Sequence, residues 1–526
     1  MEANSVSSRV GHVGKRDGGS VEPPLPQAVG YAVVVGIGFL IAFVMVFVTH
    51  ILKRTIGEDN KTTEMFMTAN RSVGTGLTAS AVISSWLWST AMLGSSLVGY
   101  NFGVAGPFWF AAGCSPMIVF FAVLGIAFAN MLLGASAAIS ALTGMHVIAA
   151  TFLLPVGVIL YTFVGGIKAT FLTDYFHTFV ITIIICFFTI KTFLVPEVGS
   201  PGGLYDLIVK AGESFPVAGN QDGSYLTMTS KNAILFGIIH VLANFGLVIM
   251  DTGFFAKAFS AAPEAVVPGY IVGGIAYFAI PWCLGTIMSF AALGLEDTAR
   301  FPTFPNRMSS TEVSNGLVLP YAAVAIAGSG GAAAVLLIIF MAVTSTISAQ
   351  VIAVSSIITF DIYRQYFNKA ATDRDVIRWS HIGVIIFGLF SAAFSTALYY
   401  GNVDLGWTLY MLGVLTCPGI FPTVFTILWK KQSKAAAVIS PLLGMATGIA
   451  VWLGPLPMYG SGYIFGKGFF EAWIIFSIIW VWGTMFVAGF FPIVDGWKQL
   501  RAVYRGLRAS RHSKGDSSGL DTPQDA

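Results

Sequence analysis

The chain has 526 residues, of which 56% are hydrophobic and only 10% are charged, and its formal net charge is +3. A soluble globular chain carries about a quarter charged residues, so these values exclude an ordinary water-soluble fold, and the net charge is too small and dispersed for a nucleic-acid-binding protein. The four cysteines have no CxxC spacing and support neither a metal site nor a disulfide framework.

The predicted elements begin after a polar N-terminal stretch. Residues 1–28 are predicted to be a disordered tail, and their lack of an apolar signal core makes the next segment an uncleaved signal anchor. Apolar runs of the length that a ~30 Å bilayer core requires predict an all-α, polytopic transmembrane domain over 29–494. A basic, disordered cytoplasmic tail is predicted over 495–526. The clearest crossings are 29–52, 73–97, 106–128, 147–167, 171–195, 232–256, 267–295, 329–360, 379–400, 405–429, 434–454 and 472–494.

Lysine and arginine collect in cytoplasmic loops and therefore orient the crossings. Loops 53–71 and 361–378 each hold four, loop 430–434 holds three and the tail 498–514 holds six, whereas 401–404 holds none. The four segments rich in basic residues are therefore predicted to be cytoplasmic, and loop 401–404 is predicted to lie outside. The N-terminus then lies outside the cell and the C-terminus lies in the cytoplasm.

The stretch 72–167 carries no charged residue, and the orientation requires an even number of crossings within it. A short fourth helix is therefore predicted near 127–144, which brings the total to about 13. The turn needed near 125–128 has no basic residue. Either a tight Gly/Ala turn lies there, or a loop and part of a helix are missing near 125–135, through a deletion or an error in the gene model.

Two crossings have the composition of broken helices. The segment from Gly74 to Thr90 is rich in glycine and hydroxyl groups, and a second segment runs from Asn244 through Gly246 to Asp251. Breaks in a spanning helix occur where they line a cavity, and transporters bind ions and substrates there. Each segment opens a group of about five crossings, so two inverted five-helix repeats are predicted.

The crossing 329–360 is rich in hydroxyl groups around Ser345 and Thr346. One reading is that small hydroxyl residues only let helices pack closely. The other is a sodium-type site, in which both hydroxyls and the carbonyl of Ala342, one turn earlier, face a cation at the edge of the helix. A broken partner helix supplies the remaining oxygens in this reading.

Several motifs resemble those of the sodium:solute symporter family. The run from Gly165 to Asp174 is similar to that family's GGxxAxxxTD signature, and the run from Val343 to Gln350 is similar to its ion-binding helix. The segments 74–80, 103–109 and 244–251 are most similar to the urea permease branch of fungi and plants. The resemblance covers roughly residues 29–494.

The resemblance implies a LeuT-like fold and a set of site residues. The family's cation site corresponds here to carbonyl groups of Ser80, Ile83 and Ala342 and hydroxyl groups of Ser345 and Thr346. Asp174 corresponds to the acid on the ion exit path. The urea branch implies substrate binding by aromatic faces that sandwich a flat diamide and by a carboxylate that accepts from its NH₂ groups. The implied substrate residues are Trp86, Trp88, Trp109, Phe110, His240, Asn244 and Asp251.

Several positions depart from the urea pattern: Phe110 stands where a tyrosine is expected, and His240 stands where an asparagine is expected. After Asp251, the expected Gln, Trp and Gln-Arg are replaced by Thr252, Phe255 and Ala256-Lys257. His240 lies eleven residues before Asp251, close to three helical turns, so both are predicted to face the same side of a helix broken between them. These departures leave a related small amide or amine as an alternative substrate.

The sequence thus predicts a cation-coupled transporter, driven by H⁺ or Na⁺, that imports urea or a related small solute across the plasma membrane by alternating access. It predicts no enzyme activity, because the seven histidines are scattered, and no cofactor beyond the coupling ion. The partners expected are the substrate and the lipid bilayer, with no nucleic acid, and the oligomeric state stays open. The alternative is a transport-dead or divergent paralogue, such as a sensor, that lacks part of the first repeat.

Overall fold

A computed structural model describes residues 21–56, 62–120, 138–401, 403, 405–428 and 434–453. The regular structure of these residues is helical. Two π-helical stretches, Ala32–Ile37 and Ile357–Phe367, continue neighbouring helices. The α-helices are α1 (Gln27–Tyr31), α2 (Gly38–Ile56), α3 (Thr63–Thr68), α4 (Thr75–Trp86), α5 (Ser89–Phe102), α6 (Ala105–Phe120), α7 (Val147–Phe193), α8 (Pro201–Ser214), α9 (Lys231–Ile249), α10 (Thr252–Ser260), α11 (Pro263–Leu295), α12 (Ser310–Ser314), α13 (Val318–Ser356), α14 (Asp373–Tyr400), α15 (Leu405–Thr416), α16 (Ile420–Leu428) and α17 (Lys434–Leu453).

The described helices confirm a polytopic membrane protein. Seven of them are long and apolar enough to cross a bilayer, or eight if α4 and α5 count as one bent span. Large apolar side chains such as Phe43, Ile275 and Phe390 are more than 60% exposed on the outside of the bundle, where lipid is their natural solvent. The count of 13 and the two inverted repeats stay predictions.

Two predicted crossings, 147–167 and 171–195, are joined in α7, which turns at Gly166. This glycine has φ +57°, and a Cβ atom there would lie 2.5 Å from the carbonyl oxygen of Phe66, so only glycine fits. Tyr161, before the turn, donates to the carbonyl of Thr344 at 3.4 Å. Asp174, after the turn, accepts from the hydroxyl of Ser345, the residue that follows Thr344 in α13. Both arms of α7 therefore flank the same turn of α13.

Helix α13 forms the centre of the bundle, and every residue from 338 to 353 is buried. A second turn at Gly328, with φ +58°, lies one residue before the predicted start of the crossing at 329. The helix also extends past the predicted end, through the π-helical stretch. It packs mainly against α7, α11 and α14.

Both predicted broken helices are broken in the structure. Helices α4 and α5 meet at a bend of 59°, and α9 stops at Ile249, before α10 begins at Thr252. In contrast, the predicted short helix near 127–144 is described only from residue 138, and 138–143 are helical. The region 125–135, the crossing 472–494, the tail 495–526 and residues 1–20 of the N-terminal tail lie outside the described residues.

A polar cluster ties the end of α5 to the end of α11. Glu296, the residue after α11, accepts from the Tyr100 hydroxyl of α5 at 2.6 Å. The same carboxylate accepts from Arg307 Nε and from the Met308 backbone N–H, both at 2.7 Å. Glu296 is only 4% exposed, so its charge is satisfied by these donors rather than by water.

Candidate functional site

The break between α4 and α5 lies inside the bundle, where its freed backbone groups need protein partners. Leu87, at the end of α4, still donates its N–H to the carbonyl of Ile83 at 2.8 Å. The carbonyl of Ser85 accepts from the indole nitrogen of Trp88 at 2.6 Å. Trp88 therefore satisfies one of the carbonyl groups that the helix break leaves without a partner.

At the second break, Met250-Asp251, the Asp251 side chain caps the helix that follows. Its Oδ1 accepts from the Phe254 N–H at 3.2 Å, which makes Asp251 the N-cap of α10, and it also accepts from Gln350 Nε2 of α13 at 2.9 Å. Asp251 and Gln350 are 3% and 2% exposed. The Oε1 atom of Gln350 has no hydrogen-bond partner among the described residues.

Lys257 of α10 carries its charge into the interior, close to the first break. Its ammonium donates to the carbonyl of Ala81 at 3.2 Å, to the hydroxyl of Ser85, and to the carboxylate of Asp174 at 2.6 Å. The side chains of this ion pair are 1% and 0% exposed. A buried charge is tolerated only when it is paired and hydrogen-bonded, and Lys257 meets both conditions.

Asp174 connects α7 and α10 with α13. Its second oxygen, Oδ1, accepts from the Ser345 hydroxyl, and that hydroxyl also contacts the Ser84 hydroxyl of α4. Three helices therefore meet at one carboxylate: α13 through the Ser345 hydroxyl, α10 through the Lys257 ammonium, and α7 through Asp174 itself. Helix α4 is linked to it indirectly, through the contact of Ser84 with Ser345. His177, one turn after Asp174, is buried, and neither ring nitrogen has a hydrogen-bond partner within the described part of the chain.

The residues predicted to bind a cation lie around this convergence, and their oxygens are engaged within the protein. The carbonyl of Ser80 accepts from the Thr178 hydroxyl at 3.3 Å, and that of Ile83 accepts from Leu87. The carbonyl of Ala342 accepts from the Thr346 hydroxyl at 3.0 Å. Ser345 turns instead towards Asp174, so the hydroxyls of Ser345 and Thr346 have separate partners. Among the described residues no group of three His, Cys, Asp or Glu side chains is placed to hold a metal ion.

The predicted substrate residues fall into two groups. In the first, Trp86 packs against Trp88 with ring centroids 5.2 Å apart and against Phe254 at 5.3 Å. Phe254 links this tryptophan to Asp251, because its own N–H donates to that carboxylate. The indole nitrogen of Trp86 is buried and has no hydrogen-bond partner in the described chain.

The second group lies between α6 and α9. Phe110 packs against His240 at 5.1 Å, and His240 stacks on Phe236 at 4.0 Å. Asn244 donates to the carbonyl of His240 at 2.7 Å, and Trp109 contacts the backbone at Gly237 so closely that a Cβ atom there would lie 2.9 Å from it.

The prediction that His240 and Asp251 face the same side is wrong. His240 packs against Phe110 of α6 and Phe236 of its own helix, whereas Asp251 accepts from Gln350 of α13 and from the Phe254 N–H of α10. The reason lies in the break: Asp251 has extended backbone angles, φ −88° and ψ +97°. The count of eleven residues assumed a continuous helical phase, which ends at Ile249.

Sequence reasoning gave no role to Lys257, Gln350 or His177. The sequence does contain a signal for Lys257. Asp251 and Lys257 are the only two residues of the classes Asp, Glu, Lys and Arg between 232 and 262, and a charge within an apolar segment needs a partner. Gln350 likewise stands on a helix whose other polar side chains are hydroxyls. Nothing in the local sequence singles out His177.

Comparisons with known proteins identify the family of the chain and its relatives. A family model described as "Sodium:solute symporter family" matches residues 114–444. The chain is 39% identical to "Probable urea active transporter 1" of Schizosaccharomyces pombe, over 93% of this chain and 94% of that protein. It is 44% identical to "Urea active transporter" of Saccharomyces cerevisiae, over 83% of this chain and 64% of that protein.

The "Urea-proton symporter DUR3" of Oryza sativa subsp. japonica is 36% identical over 86% of this chain and 68% of that protein. Among solved structures, a Na⁺-coupled sialic acid symporter in its outward-open state is similar with a TM-score of 0.58 and 16% identity, over 89% of this chain and 98% of that one. At that identity the likeness shows the fold alone.

Proposed function

Because the chain belongs to the sodium:solute symporter family, we propose that it is a secondary active transporter that imports urea, or a related small amide or amine, together with a cation, H⁺ or Na⁺. Its similar proteins are transporters and not enzymes. Transport proceeds by alternating access, in which a site near the membrane midplane opens to each side in turn. We also propose that the transmembrane domain spans residues 29–494 and has a LeuT-like arrangement of inverted repeats. The protein then lies in the plasma membrane, with its N-terminus outside the cell and its C-terminus in the cytoplasm.

One observation carries the proposal for a small amide: the buried, unpartnered Oε1 of Gln350 beside Asp251. An unpaired buried acceptor is costly, and the cost disappears when a ligand NH₂ group donates to it. Urea is flat and neutral, with two NH₂ groups and one carbonyl. Gln350 and Asp251 supply acceptors for the NH₂ groups, and the indole nitrogen of Trp86, also without a partner, supplies a donor for the carbonyl.

The other residues complete a division of roles. Trp86 and Trp88 offer aromatic faces to the plane of the substrate. The second group of predicted substrate residues lies between α6 and α9 and lines the opposite side of the route that the substrate takes: Trp109, Phe110, His240 and Asn244. The oxygens of Ser80, Ile83, Ala342, Ser345 and Thr346 serve the coupling ion, and Asp174 lies on its way to the cytoplasm.

Uptake of radiolabelled urea by cells that lack their own urea permease tests this function. We expect saturable uptake that depends on the external cation. Gln350→Leu should raise KM about fivefold or more, because the substrate NH₂ group loses its acceptor and the Asp251 carboxylate loses a donor, at a cost of about 1–3 kcal/mol. The same substitution at the exposed Gln27 is the matched control and should leave KM unchanged. Normal KM in Gln350→Leu would remove this residue from the substrate site.

Ser345 provides a second test, aimed at the cation. Ser345→Ala removes a donor to Asp174, a hydrogen bond to a charged group worth about 1.5–3 kcal/mol, so the apparent affinity for the coupling ion should fall about tenfold or more. The control is Thr344→Val, because the Thr344 hydroxyl donates back to carbonyl groups of its own helix, to Phe340 at 2.9 Å and to Met341 at 3.1 Å. Ion titrations of uptake at equal surface abundance distinguish the two variants, and identical titrations for both would contradict the role of Ser345.

One comparison favours the second candidate, a transport-dead or divergent paralogue. The alignment with the 39% identical relative extends over 624 positions, more than the 526 residues of this chain, so that relative has residues with no counterpart here. If wild-type protein reaches the surface and takes up neither urea nor small amides, this candidate replaces the first. Direct uptake of labelled acetamide or methylamine separates a divergent substrate from a lost function.

A further inference from the structure

The ammonium of Lys257 sits in an oxygen shell of the kind that broken transporter helices offer to cations. The shell consists of the Ala81 carbonyl, the Ser85 hydroxyl and the Asp174 carboxylate. Carbonyl groups near an unwound helix segment are the usual sodium ligands in such transporters. A lysine ammonium is a compact point charge with three donors, and here each donor direction has an oxygen partner.

We propose that Lys257 is a resident cation, which fills the place of a coupling sodium ion between α4, α7 and α10 and makes the transporter independent of Na⁺. This inference rests on the proposed transport function and deepens it, because it selects the coupling ion. Lys257 thereby acts as a specificity-determining residue, whose removal creates a sodium site.

The charge balance supports this assignment. Among the described side chains that contact the Lys257 ammonium, Asp174 is the one acid, and it is paired one to one with that ammonium at 2.6 Å. His177, buried nearby, adds no negative charge. A sodium ion in the same shell would place a second positive charge beside the first, while Asp174 stays the one described carboxylate in contact with the shell, and repulsion is strong in a buried, low-dielectric site.

The position of the ammonium is fixed by the fold as well as by its own hydrogen bonds. Helix α10, which carries Lys257, begins at the Asp251 cap, and the Tyr270 hydroxyl of α11 donates to the carbonyl of Phe254 at 2.6 Å. The lysine stem is buried along its length, at 0% exposure for the residue. The charge is therefore held at the break instead of being free to reach water.

Binding of radioactive sodium to the purified full-length protein, without substrate, tests the proposal. The wild-type protein should bind no saturable sodium. Lys257→Gln leaves the Asp174 carboxylate and the shell oxygens without their cation, so it should bind sodium saturably. Lys257→Arg keeps the charge and should resemble the wild type. Saturable sodium binding by the wild type, or none by a folded Lys257→Gln protein, would overturn the proposal.

If Lys257→Gln does not accumulate, Lys257→Met, which matches the length of the lysine stem, takes its place with the same expected results. A parallel uptake experiment compares sodium chloride with choline chloride at equal ionic strength. Wild-type uptake should be equal in both media, and the neutral variants should be stimulated by sodium alone. Because the binding measurement contains no urea, a chain that fails to transport urea can still pass or fail the sodium test.

Discussion

Asp251→Asn is expected to abolish urea uptake, with a loss of at least about 100-fold, at unchanged surface abundance. Asparagine can still cap α10 by accepting from the Phe254 N–H, so the break should keep its shape. What disappears is the negative charge that Gln350 and the substrate NH₂ groups share, and hydrogen bonds to charged groups contribute about 1.5–3 kcal/mol each.

The measurement is the initial rate of labelled urea uptake across a range of pH, normalised to protein at the cell surface. The control is Asp206→Asn, the same change at an exposed position of α8, which should transport at the wild-type rate. An Asp251→Asn protein with more than a tenth of wild-type uptake would exclude this carboxylate as the anchor of the substrate.

Asp174→Ala is expected to lower stability by about 3–5 kcal/mol, the typical cost of removing one partner from a buried ion pair. The variant leaves the Lys257 ammonium without a carboxylate in a site with no access to water. Because native proteins are stable by only about 5–15 kcal/mol, surface abundance should fall sharply. Asp174→Ala combined with Lys257→Met removes both charges and should recover much of the abundance.

The matched control is an ion pair of similar length on the surface. Arg300 Nε lies 2.7 Å from Glu197 Oε1, with both side chains at least 35% exposed, and the hydrogen bond from Arg300 lowers the pKa of Glu197. Glu197→Ala should cost about 1 kcal/mol or less. Thermal unfolding of the purified variants compares the two pairs, and equal losses of Tm would contradict the assigned burial of the Asp174 pair.

The sequence predicted the breaks because their cause is local. Glycine and hydroxyl residues between Gly74 and Thr90 disfavour a continuous apolar helix, and the structure bends there by 59°. The turn at Gly166 lies one residue before the end of the predicted crossing 147–167, and the turn at Gly328 lies one residue before the start of the predicted crossing 329–360. Within the described residues, local composition therefore predicts most of the helix boundaries.

The contacts of the site depend instead on which helices meet, and periodicity along one helix does not report that. Lys257 follows a break, where a basic residue commonly marks the membrane surface, yet the chain turns back and buries it against Asp174, 83 residues earlier. The prediction that His240 and Asp251 face the same side counts the helical phase straight through the break between them. The division of the predicted aromatic residues into two groups arises from the packing of α6 on α9, which only tertiary structure specifies.

The cluster around Glu296 has a mechanical consequence for the transport cycle. Tyr100, at the end of α5, is joined at 2.6 Å to the residue that ends α11, and Arg307 adds a second connection on the same carboxylate. The second arm of the first broken helix, α5, is therefore joined to the long neighbouring span α11, and the bend at Leu87 and Trp88 takes no part in these contacts. We expect α5 and α11 to move together as one rigid body, with the bend at Leu87 and Trp88 as the hinge. A cross-link between positions 100 and 296 should therefore leave transport unchanged, whereas a cross-link that immobilises the bend should stop it.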